Sequence, residues 1–316
     1  MSGEAPRAVA VGGGTGLPKV LFSLLDMGFE TTAVVTMADD GGSSGHLRRE
    51  LGMLPPGDAR NCLVAMSADP GSSLARVFSY RFPHGEGLAG HALGNLVIAA
   101  LADIEGSFPK ALATAGELLR SRGRVLPSTL DDVILTAENV SGDRVVGQVN
   151  VAESVEPIAC VRFAAEEPAL AYGPAARALR DADLVVVGPG SLFTSILPNF
   201  LVEGIADALR ATRGLVIYVG NVANQRGETA GMDAADHLDA LERHGLTDVF
   251  DVALFHDPGQ WPLPDGVEPV IAGAAQVERV RDMGIEVVVA DVADRAEPMH
   301  HDRELLCRAL EAVFRS

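Results

Sequence analysis

A glycine-rich turn near the start of the chain has the residue types and the spacing that phosphate binding requires. It contains Gly12, Gly13, Gly14, Thr15 and Gly16. An apolar run precedes the turn and a helical period follows it, so the pattern predicts a strand that ends in a phosphate-binding loop. Because the third position of the dinucleotide fingerprint is Leu17, a nucleotide phosphate is favoured over a nicotinamide dinucleotide. The alternative is a glycine turn that binds nothing.

Two carboxylates follow the next predicted strand, in the segment Asp39-Asp40-Gly41-Gly42-Ser43-Ser44. Acidic residues at the tip of the second strand of a doubly wound fold commonly bind ribose hydroxyls. Paired carboxylates equally suit Mg²⁺, and an Asx turn would need no ligand. Asp39, Asp40, Ser43 and Ser44 are therefore candidate cofactor-binding residues. The ribose and Mg²⁺ roles stay open, and no metal ligand is assigned.

Four more polar candidates come at predicted helix starts: Arg60, Asn61, His91 and Asn95. A helix is predicted over Ala59–Ser67 with Asp58 as its N-cap, so its first turn would present an Arg and an Asn to a phosphate or a base edge. His91 and Asn95 are one helical turn apart and would face a ligand together. The alternatives are a surface ion pair between Arg60 and Asp58 and a structural hydrogen bond at His91.

A second glycine turn follows a later apolar strand and adds Gly188, Gly190 and Ser191 to the candidates, and Asn221 follows the next predicted strand. The hydroxyls of Thr194 and Ser195 come shortly after the turn as further phosphate or sugar donors. The serine turn lacks the glycine of a nucleophile elbow. No catalytic residue is therefore assigned.

The elements that must position these residues alternate between apolar strands and amphipathic helices. Val9–Gly12, a helix over Leu17–Met27 and a strand over Thr31–Met37 form a βαβ unit. We therefore predict an α/β fold with a Rossmann-like, doubly wound, mostly parallel sheet in one domain over residues 1–316. Three β-rich runs within approximately 125–165 predict a small antiparallel insertion.

The composition and the charge indicate which partners and which cellular compartment to expect. With 25 Lys and Arg against 43 Asp and Glu, the net charge of −18 disfavours a nucleic-acid partner. Cys62, Cys160 and Cys307 have no zinc or disulfide spacing and fit a reducing compartment. The glycine turn begins too early for a leader, and no apolar run reaches the length of a membrane span, so we expect a cytoplasmic protein without membrane insertion.

In this order, the motifs resemble the YvcK-like gluconeogenesis factor family of the CofD-like superfamily, also called UPF0052. They are the two glycine turns, Asp39–Gly45, Pro55–Asn61, Gly90–Leu96 and Gln225–Thr229. The resemblance implies a bound nucleotide, most characteristically a UDP-sugar such as UDP-N-acetylglucosamine. NAD stays a weaker candidate, because a fold of this kind also accommodates a dinucleotide. It also implies a regulatory role that links carbon metabolism to cell-wall (peptidoglycan) synthesis and cell shape, without established turnover. Cell-wall regulatory proteins and a homo-oligomer are the partners to test.

The enzymes of the superfamily are similar to 2-phospho-L-lactate transferases, which use a guanylyl donor, a deazaflavin acceptor and Mg²⁺. Those enzymes usually have Gly-Pro-Ser-Asn-Pro where this chain has Gly188-Pro189-Gly190-Ser191-Leu192. The difference favours the regulatory branch, and a Mg²⁺-dependent transferase stays the alternative. The regulatory branch tends to carry Arg-His-Asp before the last helix, where this chain has His300-His301-Asp302.

Overall fold

A central sheet of parallel strands positions both glycine turns. The computed structural model describes residues 5–257, 259 and 263–315. The strands in this part of the chain are β1 (Arg7–Gly12), β2 (Glu30–Val35), β3 (Arg124–Pro127), β4 (Leu135–Asn139), β5 (Arg144–Val146), β6 (Ile158–Phe163), β7 (Leu184–Val187), β8 (Leu215–Val219), β9 (Val252–His256) and β10 (Glu286–Ala290). The helices are α1 (Leu17–Asp26), α2 (Gly42–Leu51), α3 (Gly57–Ala65), α4 (Ser73–Ser79), α5 (Leu93–Glu105), α6 (Phe108–Leu118), α7 (Gln148–Ala152), α8 (Gly173–Arg180), α9 (Leu197–Phe200), α10 (Ile205–Arg210), α11 (Ala234–Arg243), α12 (Ala274–Asp282) and α13 (Arg303–Arg315).

The main sheet has seven strands in the order β10-β9-β8-β7-β1-β2-β3, and each neighbouring pair is parallel. Strands β1 and β7 are almost continuously apolar because helices cover both faces of the sheet. The chain runs from β1 outwards to β3 and then returns beside β1 to build the other half. The strand order therefore reverses between β1 and β7, and this confirms the predicted Rossmann-like, doubly wound fold.

The small antiparallel sheet has the order β5-β4-β6. Its strands begin at Leu135, because β3 within the predicted range pairs instead with β2 in the main sheet. Only Arg144–Val146 of the second β-rich run is a strand, and the residues after it form α7. The insertion is thus smaller than the sequence pattern indicates.

Distant side chains attach this insertion to the main sheet. The two carboxylate oxygens of Asp40 accept the N–H groups of Gln148 and Val149 at 2.9 and 3.0 Å, so Asp40 caps α7 from the tip of β2. A second contact joins β6 of the insertion to the end of α11, where His244 Nε2 accepts the Val161 N–H at 3.0 Å. The insertion therefore has defined contacts with the elements around the candidate site.

The starts of two helices decide where candidate residues lie. Helix α2 begins at Gly42, which places Ser43 and Ser44 in its first turn. Helix α3 begins at Gly57, so the prediction that Asp58 is its N-cap is wrong. The Asp58 side chain points instead towards the first glycine turn. None of the helices in the described ranges combines the length and the apolarity that crossing a bilayer requires.

Candidate functional site

The two glycine turns meet at the carboxyl ends of β1 and β7, where the strand order reverses. A Cβ atom on Gly16 would lie 2.5 Å from the Pro189 carbonyl oxygen, and one on Gly190 would lie 3.4 Å from the Gly13 oxygen. Gly14 has φ of +66°, a conformation that glycine adopts without strain. Close approach of two backbones explains the glycine at position 16, and the positive φ explains the glycine at position 14. The crevice between them is the usual ligand site of a doubly wound fold.

Four segments of the described chain line the cleft around these turns. Besides Gly13, Gly14, Gly16 and Gly190, the lining includes Thr15, Lys19, Ser191, Ser195, Asn221, Gln225, His300 and His301. Backbone N–H groups, the amino end of α1 and the Lys19 ammonium make the floor favourable for an anion. Lys19 lies 3.9 Å from Asp294, at the weak limit of an ion pair, and its charge is available to a ligand. The sequence signal for Lys19 was a cation in the first helical turn after the glycines.

Asn221 holds the second glycine turn in place. Its Nδ2 donates to the Gly190 carbonyl at 2.9 Å, and its Oδ1 accepts the Gly190 N–H at 3.1 Å. This reciprocal pair engages both ends of the side-chain amide. Asn221 therefore shapes the loop that lines the cleft.

The histidines before α13 form one wall of the cleft and differ in environment. His301 is buried, its Nε2 lies 3.1 Å from the Gly220 carbonyl, and burial lowers its pKa to about 3. It is therefore neutral and donates a structural hydrogen bond at physiological pH. His300 is exposed, with its Nδ1 3.6 Å from Glu297.

Asp58 lies against the first glycine turn, and the charge of Asp39 acts on it. Asp58 accepts the Gly14 N–H, and a Cβ on Gly13 would lie 2.5 Å from its Oδ2. Burial, together with the charge of Asp39, raises the pKa of Asp58 to about 7. Burial also raises the pKa of Asp39, against the opposing effect of the Gly41 N–H at 3.0 Å. The sequence identified Asp39 but not Asp58 as a candidate.

A Mg²⁺ ion fits this carboxylate pair better than the pair of adjacent aspartates. Mg²⁺ is commonly held by one or two carboxylates and otherwise by water and phosphate oxygens. Asp40 is engaged in capping α7, whereas Asp58 lies beside the first glycine turn and interacts electrostatically with Asp39. Larger clusters, of three or more His, Cys, Asp or Glu side chains suited to a metal, are absent from the described ranges.

Ser43, Ser44, His91 and Asn95 lie behind the cleft in a buried hydrogen-bonded group. Ser43 Oγ lies 3.1 Å from His91 Nδ1 and accepts a hydrogen bond from Asn95 Nδ2 at 3.1 Å. Ser44 Oγ accepts the Gly57 N–H at 3.1 Å. These contacts tie the first turns of α2, α3 and α5 together. The structure thus places the four residues where they support the Asp39 and Asp58 loops.

Arg60 and Asn61 lie on the outer side of Thr15, away from the cleft. Arg60 Nη2 donates to Asn61 Oδ1 at 2.5 Å, and both residues line a separate groove. The sequence grouped them with the nucleotide site. The structure instead places them in a neighbouring depression that shares Thr15 with the cleft.

Glu228 is a buried carboxylate that the sequence pattern did not identify as a candidate residue. It is 1% exposed and lies against the π-helical turn Leu192–Ile196 that follows the second glycine turn. The Thr194 hydroxyl and the Phe193 N–H favour its ionised form, but neither reaches hydrogen-bonding geometry. Burial outweighs both and raises the pKa of Glu228 to about 7.

Comparison with known proteins agrees with this architecture. Residues 8–293 match the family described as 2-phospho-L-lactate transferase CofD. A gluconeogenesis factor of Halalkalibacterium halodurans is 41% identical over 263 residues, which cover 83% of this chain and 80% of that protein. A gluconeogenesis factor of Listeria innocua is 38% identical over 314 residues, covering 98% and 96%.

A crystal structure of a UPF0052 family member from Bacillus halodurans superposes with a TM-score of 0.90. It is 35% identical, and the match covers 98% of this chain and all of the other. The switch-point cleft, the family match and the relatives agree with one another. This chain belongs to the YvcK-like gluconeogenesis factor family, within the CofD-like superfamily.

Proposed function

We propose that this protein is a regulatory protein that binds a nucleotide-sugar of the UDP-N-acetylglucosamine type. The observation that carries the proposal is the meeting of two glycine turns at the switch point, beside Lys19 and the amino end of α1. A pyrophosphate needs several N–H donors and a cation, and this cleft offers both against the overall charge of the chain. The regulatory role, in carbon metabolism and in cell-wall synthesis and cell shape, follows the family resemblance.

In this proposal, the nucleotide phosphates bind at the Gly13–Gly16 backbone and near Lys19. The Ser191 and Ser195 hydroxyls and the Gln225 amide line the same cleft and are suited to the sugar or to outer phosphate oxygens. Asp39 is the remaining candidate for ribose, because both oxygens of Asp40 already accept hydrogen bonds from α7. The exposed His300 stands where the family tends to have Arg.

Calorimetry with UDP-N-acetylglucosamine, UDP-glucose, GDP and NAD, each with and without Mg²⁺, tests this proposal. A response to the UDP-sugars that is indifferent to Mg²⁺ supports it. A ligand present at about 100 times its Kd also stabilises the fold by about 2.7 kcal/mol, which thermal unfolding detects independently. Absence of UDP-sugar binding in both assays would contradict it.

A second candidate function is a Mg²⁺-dependent transferase of a phosphorylated group. The specific observation in its favour is that Asp58 lies beside the first glycine turn and interacts electrostatically with Asp39. When bound there, Mg²⁺ would supply electrostatic stabilisation of a transferred phosphoryl group. The two aspartates would hold the ion and the glycine turns would orient the phosphates. Binding of GDP that requires Mg²⁺ and is lost in Asp58→Asn would favour this function. Binding of a UDP-sugar that persists both without Mg²⁺ and in Asp58→Asn would exclude it.

A further inference from the structure

A groove on the outer side of Thr15 is distinct from the nucleotide cleft. Helices α1 and α3 and the end of α4 form its walls, and Thr15 is its only residue in common with the cleft among the described residues. Pro18 and Phe22 of α1 face Val64 of α3 across it. A ligand in the groove would therefore contact apolar walls and would also reach the outer face of the first glycine turn.

Two arginines lie in this groove without a carboxylate between them. Arg60 is 7% exposed, and its hydrogen bond in the structure goes to the neutral amide of Asn61. Arg81 is exposed and donates to the Gly90 carbonyl at 2.5 Å. Within the described part of the chain, neither guanidinium has an acidic oxygen within 4.0 Å. The nearby Asp58 and Asp39 attract Arg60 only over a longer distance.

The charge arrangement is unfavourable unless an anion completes it. Burial lowers the pKa of Arg60, and the positive charge of Arg81 lowers it further. Elsewhere in this acidic protein, arginines such as Arg48, Arg279 and Arg303 pair with carboxylates, and acidic residues outnumber basic ones by 43 to 25. A buried cation beside a second cation is the usual arrangement of a site that recognises an anion through guanidinium donors.

We propose that this groove is a second binding site, separate from the nucleotide cleft, for a small phosphate monoester with an apolar or aromatic body. A phosphate dianion has enough acceptor oxygens for the free donors of Arg60 and Arg81 at once, and it balances both charges. The Pro18, Phe22 and Val64 surfaces would cover the apolar body. Because Thr15 belongs to both depressions, a ligand here would contact the outer side of the phosphate-binding turn.

Phenyl phosphate is the probe that combines both features. We expect calorimetry to show binding of phenyl phosphate, and weaker binding of inorganic phosphate, which lacks the ring, and of phenol, which lacks the charge. Saturating UDP-N-acetylglucosamine should leave phenyl phosphate bound. Displacement of the probe by the nucleotide, or no binding of the probe, would overturn the proposal. If the probe binds and UDP-sugars do not, the nucleotide proposal fails while this one stands.

Arginine variants locate the site. Arg81→Gln removes an exposed side chain and should weaken phenyl phosphate binding by about tenfold, because a charge-assisted hydrogen bond is lost. Arg60→Gln should have at least that effect, with circular dichroism as the check on folding. Arg76→Gln, an exposed arginine on α4 outside the groove, removes the same charge and should leave the affinity unchanged. Equal affinities of Arg81→Gln and Arg76→Gln would refute the assignment.

Discussion

Glu228→Gln should make the stability of this protein less dependent on pH. Glu228 is 1% exposed, and burial raises its pKa from 4.5 to about 7. The folded state therefore holds a proton that the unfolded state releases. The stability contributed by that proton is present below the unfolded pKa of 4.5 and is lost as the pH rises through about 7.

The shift corresponds to about 3 kcal/mol over the whole titration, and about 2.5 kcal/mol of it falls between about pH 5 and about pH 8.5. Between these two pH values, the free energy of unfolding of the wild type should therefore fall by about 2.5 kcal/mol more than that of Glu228→Gln. Urea unfolding of both proteins at the two pH values measures this difference. The contributions of the other titrating groups cancel in this difference, because both proteins contain the same groups.

Glu278→Gln is the matched control, because it removes the same charge from an exposed position on α12. It should follow the wild type at both pH values. If Glu228→Gln shows the same pH dependence as the wild type and the control, then Glu228 does not carry a proton in the folded state and the reasoning from its burial is refuted.

Two further predictions concern Asp58 and Asp40. Asp58→Asn keeps an acceptor for the Gly14 N–H but removes a carboxyl group that ionises as the pH rises through about 7. UDP-N-acetylglucosamine should therefore bind the variant more tightly than the wild type at about pH 8.5 and equally at about pH 6. Calorimetry at both pH values tests this, and weaker binding by the variant would instead support a metal role. Asp40→Ala removes the cap of α7 and should lower the free energy of unfolding by about 1 kcal/mol. Hydrogen exchange should become faster at the Gln148 and Val149 amides but not in β1. Unchanged exchange at these two amides would contradict the capping role.

The sequence predicts the main sheet and the positions of the glycine turns, because both depend on local pattern. Strands such as β7 are apolar along their whole length, and glycines mark the turn where two backbones approach. The roles of the polar residues depend on partners far along the chain. Asp40 caps a helix 108 residues later, which no local pattern indicates.

Asp58 shows the same limit at shorter range. A sequence reading assigns an aspartate before a helical segment to the N-cap, but Pro56 and Gly57 start the helix earlier and release the Asp58 carboxylate towards Gly14. Arg60 and Asn61 follow the same motif, yet the rotation of α3 places them outside the cleft. The division of these polar residues among the cleft, its supporting residues and the separate groove therefore depends on the fold.

Binding of nucleotide phosphate by the first glycine turn is tested most directly by Gly14→Asp. Gly28→Asp is the matched control, since Gly28 also has positive φ, at +87°, and lies beyond the far end of α1 with no atom within 4 Å of an added Cβ. Calorimetry with UDP-N-acetylglucosamine should show wild-type affinity for Gly28→Asp. Gly14→Asp should bind at least about 100-fold more weakly, because a carboxylate at about 4 Å from a phosphate costs several kcal/mol near a protein surface. Equal affinity of the two variants would contradict the claim.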